Sequence, residues 1–112
     1  MVDAIDANSV DWSHEEQLIA RKAFILAQQR EIDTILETLR DRINAATTVE
    51  QVWELHDYLS TRRYEIEGKY DYRYSNLIFV FASLVKDRLL HIEELSGLEC
   101  DKLSKVKAMS KM

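Results

Sequence analysis

Proline is absent from this chain of 112 residues, and glycine occurs only as Gly68 and Gly97. With 31% charged and 46% hydrophobic residues and almost no helix breakers, the composition points to long helices. Cysteine is reduced to Cys100, which excludes an intramolecular disulfide and a cysteine-rich metal site. A lone cysteine fits a reduced, cytosolic compartment, with packing as the role of its side chain. The opening "MVDAIDANSVDW" has three aspartates and no basic residue, so it lacks the pattern of a signal peptide. Long apolar runs are missing too. The longest, "LIFVFASLV", is far short of the ~20 residues a membrane span requires.

Basic charge is scarce and local. The net charge is −5, yet residues 99–112 carry +2, from Lys102, Lys105, Lys107 and Lys111 against Glu99 and Asp101. The remaining 98 residues carry −7, which disfavours nucleic acid as a partner. A small basic tip suits an acidic patch on another protein.

What is present is helical signal. Residues 1–12 read as a disordered tail, followed by one all-helical domain over 13–112. Ser13 and Glu16 have capping-box spacing, and an apolar pattern then runs to about Ala46. Leu18, Ile25, Ile32 and Leu39 recur every seven residues, with Ile35, Leu36 and Ile43 widening the stripe. So long a helix is expected to lie along another of similar length. A second cap follows, Thr47 with Glu50 or Thr48 with Gln51, opening a helix to about Gly68. The stretch "GKYDYRYS" reads as a kink, a short break or a helix that continues. A third helix is expected over 77–93 despite the β-propensity of "LIFVF", and a last one from Glu99 to about Lys111, after Gly97.

The segment "VWELHDYLSTRR" concentrates unusual side chains. At 3.6 residues per turn, Trp53, His56, Asp57, Ser60, Tyr64 and Glu67 share one arc, while Val52, Leu55, Leu59, Ile66 and Tyr70 share another. The apolar arc is the natural core face. The other arc then points away from the core, where tryptophan, tyrosine and arginine commonly anchor interfaces. Neighbours such as His56 and Asp57 do not converge on one point of a helix, and His14 and His91 lie in other elements. Neither a metal site nor a hydrolase built on His56 and Asp57 is therefore favoured. Arg63 lies about 9 Å along the axis from Asp57 and is turned well away from it. Two copies of this helix crossing antiparallel near Ser60 would bring Asp57 of one to Arg63 of the other. The alternatives are solvated charges, or a pairing of Arg63 with Glu67 or Glu50.

The stretch "WELHDYLSTRRYEIEGKYDYRYSNLIFVFASLVKD" resembles the fluorescence recovery protein family of cyanobacteria. The resemblance runs from about Trp12 to Lys107 and is carried by W-x-L-H-D-aromatic-L-S, R-x-E-I-x-G-K-Y-D and I-F-V-F-A. Residues 1–11 lie outside it, and Tyr72 and Tyr74 have no place in the shared pattern. It implies an all-α homodimer, an elongated bundle of about four helices with a stalk over about 13–68 and a small head over about 69–112. It implies no enzyme activity, no cofactor and no metal. The implied role is photoprotection: binding the light-activated red form of the orange carotenoid protein, chiefly at its C-terminal domain. Detachment from the phycobilisome and faster return to the orange form then end non-photochemical quenching. An alternative within the family is a dimeric helical module serving another partner. The resemblance assigns Trp53, His56, Asp57 and Arg63 to a dimer-interface and activity patch, and Phe79 and Lys105 to a partner-binding head. It places the protein in the cytoplasm or peripherally on thylakoid membranes.

Overall fold

The computed structural model describes residues 11–112, and the tail expected over 1–12 lies outside them up to residue 10. The described residues form four α-helices and no strand: α1 (His14–Ala45), α2 (Val49–Lys69), α3 (Leu77–Lys86) and α4 (Cys100–Ser110). A 3₁₀ turn, Ile92–Leu95, separates the last two. The molecule measures 54 × 30 × 22 Å with a radius of gyration of 17.0 Å. A compact domain of this length would have about 13 Å, so the shape is elongated.

Both expected caps are present. Ser13 Oγ accepts from the Glu16 amide, and the Glu16 carboxylate accepts from the Ser13 N–H at 2.9 Å. At α2 the capping box is Thr48 with Gln51, which decides between the two pairings the sequence allows. Gly68 lies inside the last turn of α2 with open space where a Cβ would stand, and the helix ends one residue beyond it. Arg42 over the ring of Tyr58 at 4.4 Å, and Arg62 and Lys69 on Glu31, fix α1 and α2 as an antiparallel hairpin.

After α2 the chain leaves helical structure over residues 70–73 and turns at 74–76, and its tyrosines alternate with charged residues. Tyr70, Tyr72 and Tyr74 pack toward α1, whereas Asp71 and Arg73 pair at 2.6 Å on the outer side. Ring contacts link Trp12 to Tyr74 (5.7 Å), Tyr74 to Tyr72 (5.6 Å), Tyr72 to Phe24 (4.9 Å) and Phe24 to Tyr70 (5.4 Å). This aromatic strap carries the chain back along the N-terminal half of α1. Trp12, placed in the tail by the sequence reading, is buried in the core instead.

α3 stops at Lys86, seven residues before the expected 93. The Leu89 amide donates to the Leu84 carbonyl and the Arg88 amide to the Val85 carbonyl, the two bonds of a Schellman cap. The residue such a cap holds in the left-handed region is usually glycine. Here it is Arg88, at φ 63°, so the stop has no glycine or proline to announce it. Gly97, at φ 107°, makes the next turn, and a Cβ there would lie 2.4 Å from Ile19 Cδ1.

The core joins the head to the first half of α1. Leu77, Phe81, Leu84, Leu90, Leu95 and Val106 are fully buried against Ala20, Ala23 and Ala27. The alanines let the head approach the α1 backbone closely. Most of the apolar stripe of α1 lies elsewhere: Leu18, Ile25, Ile32, Leu36 and Ile43 are exposed, and Ile35 and Leu39 are half-buried. On α2, Leu55 is buried and Leu59 and Ile66 half-buried, but Val52, expected on the core face, is exposed. Cys100 is exposed at the start of α4, which overturns the packing role expected for it.

Candidate functional surface

The outer arc of α2 is open to solvent. Trp53 is 61% exposed and Tyr64 82%, with His56, Asp57 and Ser60 exposed between them. His56 Nδ1 and Asp57 Oδ1 come within 3.4 Å, but both side chains stand in solvent. Arg63 pairs with Glu67 at 3.3 Å, one of the partners the sequence allows, and both remain largely exposed. Helical geometry puts Val52 and Arg63 on the side of α2 that continues the exposed row of α1, since both rows turn the same way from the line between the two axes. A groove of about 470 Å³ runs between the helices, lined by Ile35, Leu59, Arg62, Arg63, Ile66 and Glu67. Among the described residues no three His, Cys, Asp or Glu side chains converge as metal ligands. None of the helices is long and apolar enough to cross a membrane.

The head presents Phe79 outward. Its neighbours Leu77, Val80 and Phe81 are buried, but Phe79 is 60% exposed, so it is no part of the core. Lys105 is exposed on α4 and pairs with Asp101 one turn earlier at 3.2 Å. The structure therefore separates the six residues into two regions. Trp53, His56, Asp57 and Arg63 lie on the stalk hairpin, and Phe79 and Lys105 on the head.

Two buried ionic clusters hold these regions in register, and sequence reasoning missed both. Glu31, only 2% exposed, accepts from Arg62, from Lys69 (3.1 Å) and from the Tyr70 hydroxyl (2.8 Å). Burial, reinforced by the neighbouring Glu31 carboxylate, pushes the Tyr70 phenol well above its ordinary pKa. At the other end of the alanine face, Glu16 accepts from Lys102 and from the Glu99 amide. Burial opposes the charge on Glu16, but the Ser13 and Glu99 amides and Lys102 outweigh it and hold the carboxyl below its usual range. The signal was a pair of glutamates flanking alanines on one α1 face, a pattern that reads as solvated until the lysines are placed. No buried side-chain polar atom among the described residues lacks a partner.

The helical frame turns large apolar and aromatic side chains outward on both stalk and head, and exposed surface of this kind suits protein–protein contact. The family profile described as "Photoprotection regulator fluorescence recovery protein" matches residues 12–110. The sequence is 46% identical over 101 residues to the fluorescence recovery protein of Synechocystis sp. PCC 6803, covering 90% of this chain and 93% of that one. The solved structure of the Fremyella diplosiphon fluorescence recovery protein superposes with a TM-score of 0.88 at 48% identity, over 90% of this chain and 99% of that one. The Synechocystis structure superposes at 0.87, with 46% identity and the same coverage. The chain belongs to the fluorescence recovery protein family of photoprotection regulators.

Proposed function

We propose that this protein is a non-enzymatic regulator that binds the light-activated red form of the orange carotenoid protein at its C-terminal domain. It promotes detachment from the phycobilisome and hastens the return to the orange form, acting in the cytoplasm. The observation that carries this reading is family membership together with the full set Trp53, His56, Asp57 and Arg63, displayed on one exposed hairpin. Accelerating a conformational reversion requires tighter binding to its transition state than to the activated state. A tenfold acceleration needs only ~1.4 kcal/mol of that difference. A few anchors supply as much, and exposed Trp53 and Phe79 are residues of the right kind.

The same reading includes a homodimer through the hairpin. The face of Ile32, Leu36, Ile43, Val49 and Val52 is apolar and unpartnered in a single chain. Two such faces packed antiparallel make a four-helix bundle. Asp57 of one protomer then meets Arg63 of its partner, and the solvent-exposed Glu67 pairing is weak enough to be exchanged. The test is the dark decay of red absorbance after illumination of orange carotenoid protein, with and without this protein. Faster decay is expected. Unchanged decay at every ratio would assign the dimer to a different partner.

A further inference from the structure

Arg88 is the one described non-glycine residue with a positive φ, at 63°. Glycine or asparagine would serve the cap better, because the L side chain is what makes this conformation unfavourable. Packing gives no reason for arginine, since Arg88 is exposed. Nor does an ion pair, since no carboxylate among the described residues binds it. Other surface cations are also unpaired, but none of them sits in a strained conformation. Strain kept at an exposed position points to function.

The surroundings indicate what kind of function. Arg88 lies at the elbow where stalk meets head, on a cleft of about 450 Å³ that also includes Arg62, Lys69, Glu31 and Asp87. Arg62 and Lys69 are already engaged by Glu31, and Lys69 also by Asp87 at 3.3 Å. Three cations thus face two carboxylates, and the unneutralised one is Arg88. The elbow lies where α3 ends. Lys86 follows Phe79 by seven residues, so the two exposed side chains share a face of α3 about 10 Å apart, and Arg88 stands two residues past Lys86, beyond the helix end.

We propose that Arg88 is a partner-contact residue, its guanidinium taking a carboxylate side chain of the bound partner at the elbow cleft. Arginine suits this role because its planar fork binds carboxylates in two-point fashion. The inference rests on the proposed function, and it adds a third contact region to stalk and head.

The test uses full-length protein with photoactivated orange carotenoid protein, titrating the rate of dark recovery. Arg88→Gly relieves the backbone, so its melting midpoint should rise by about 4 °C. Its half-saturating concentration should nonetheless increase about fivefold, with weaker dependence on salt. Arg88→Asn, which tolerates the same φ without adding glycine's freedom, should show the same loss of affinity, and Arg88→Lys should keep most of it. If the Gly and Asn variants titrate like wild type, the carboxylate contact does not exist. If wild type itself leaves recovery unchanged, the functional reading falls and this inference with it.

Discussion

The Lys102 ammonium lies 3.1 Å from Glu16 Oε1, joining the last helix to the first turn of α1 across 86 positions of sequence. Glu16 serves two structures at once. As the N3 residue of the capping box it closes the start of α1, and through Lys102 and the Glu99 amide it closes the start of α4. Lys102 also donates to the Asp11 carbonyl at 2.7 Å and lies over the Trp12 ring. One buried pair therefore locks the chain entry, the head and the stalk together.

Lys102→Met should consequently cost far more than the loss of a surface lysine. It strands a buried carboxylate, for which about 3 kcal/mol is the expected penalty. The double variant Glu16→Gln/Lys102→Met removes the stranded charge and should recover part of the loss. Urea denaturation of the two variants checks this, and equal stability of Lys102→Met and wild type would remove the lock from the account.

Much of this frame was legible in the sequence because it depends on local chemistry. The Ser13–Glu16 and Thr48–Gln51 boxes and the helical reading of "LIFVF" rest on residues within one or two turns of each other. The rest depends on long-range choices. The heptad stripe of α1 is the strongest apolar signal in the chain, yet most of it lies outside, and modest alanines face the head. Periodicity finds an apolar face but not which neighbour covers it. The early end of α3 was hidden because Arg88 occupies a glycine position. Of the site, the exposed arc of α2 followed from helix geometry, whereas the outward turn of Phe79 required the fold.

Acid should weaken the contact between α1 and the 3₁₀ turn. Arg30 grips Glu94 at 2.6 and 2.7 Å, which outweighs partial burial and, with the His91 amide, holds the Glu94 carboxyl down to about 2 from an unfolded value of 4.5. A depressed folded pKa contributes stability that is complete above the unfolded pKa and is lost as pH falls through the folded one. The melting midpoint should therefore drop from about pH 5 to about pH 2. Glu94→Gln should flatten that slope. An identical slope in the variant would show that other carboxylates set it.

Gly97→Ala should destabilise the head. The backbone at φ 107° disfavours any L side chain, and the new Cβ would meet Ile19 Cδ1 at 2.4 Å. The Ile19 tip can turn aside, so the backbone dominates, at about 2 kcal/mol. Thermal melting should fall by about 5 °C or more, and adding Ile19→Val should restore only a small part.

The proposed two-fold packing of the hairpins separates an apolar contribution from an ionic one. Leu36 lies in the middle of the exposed α1 row and has no core role in a single chain, so Leu36→Glu should leave helicity and folding intact. In a dimer the same glutamate would be buried against a partner's apolar face, weakening association by about a hundredfold or more. Arg63→Glu acts differently. It places like charges one turn apart with Glu67 and, across the two-fold, beside Asp57, so it should weaken association less and in a salt-sensitive way. Light scattering at low micromolar concentration distinguishes these outcomes. Loss of the dimer in Leu36→Glu alone would keep the apolar face and discard the Asp57–Arg63 exchange. A full dimer in both variants would move the interface off this hairpin.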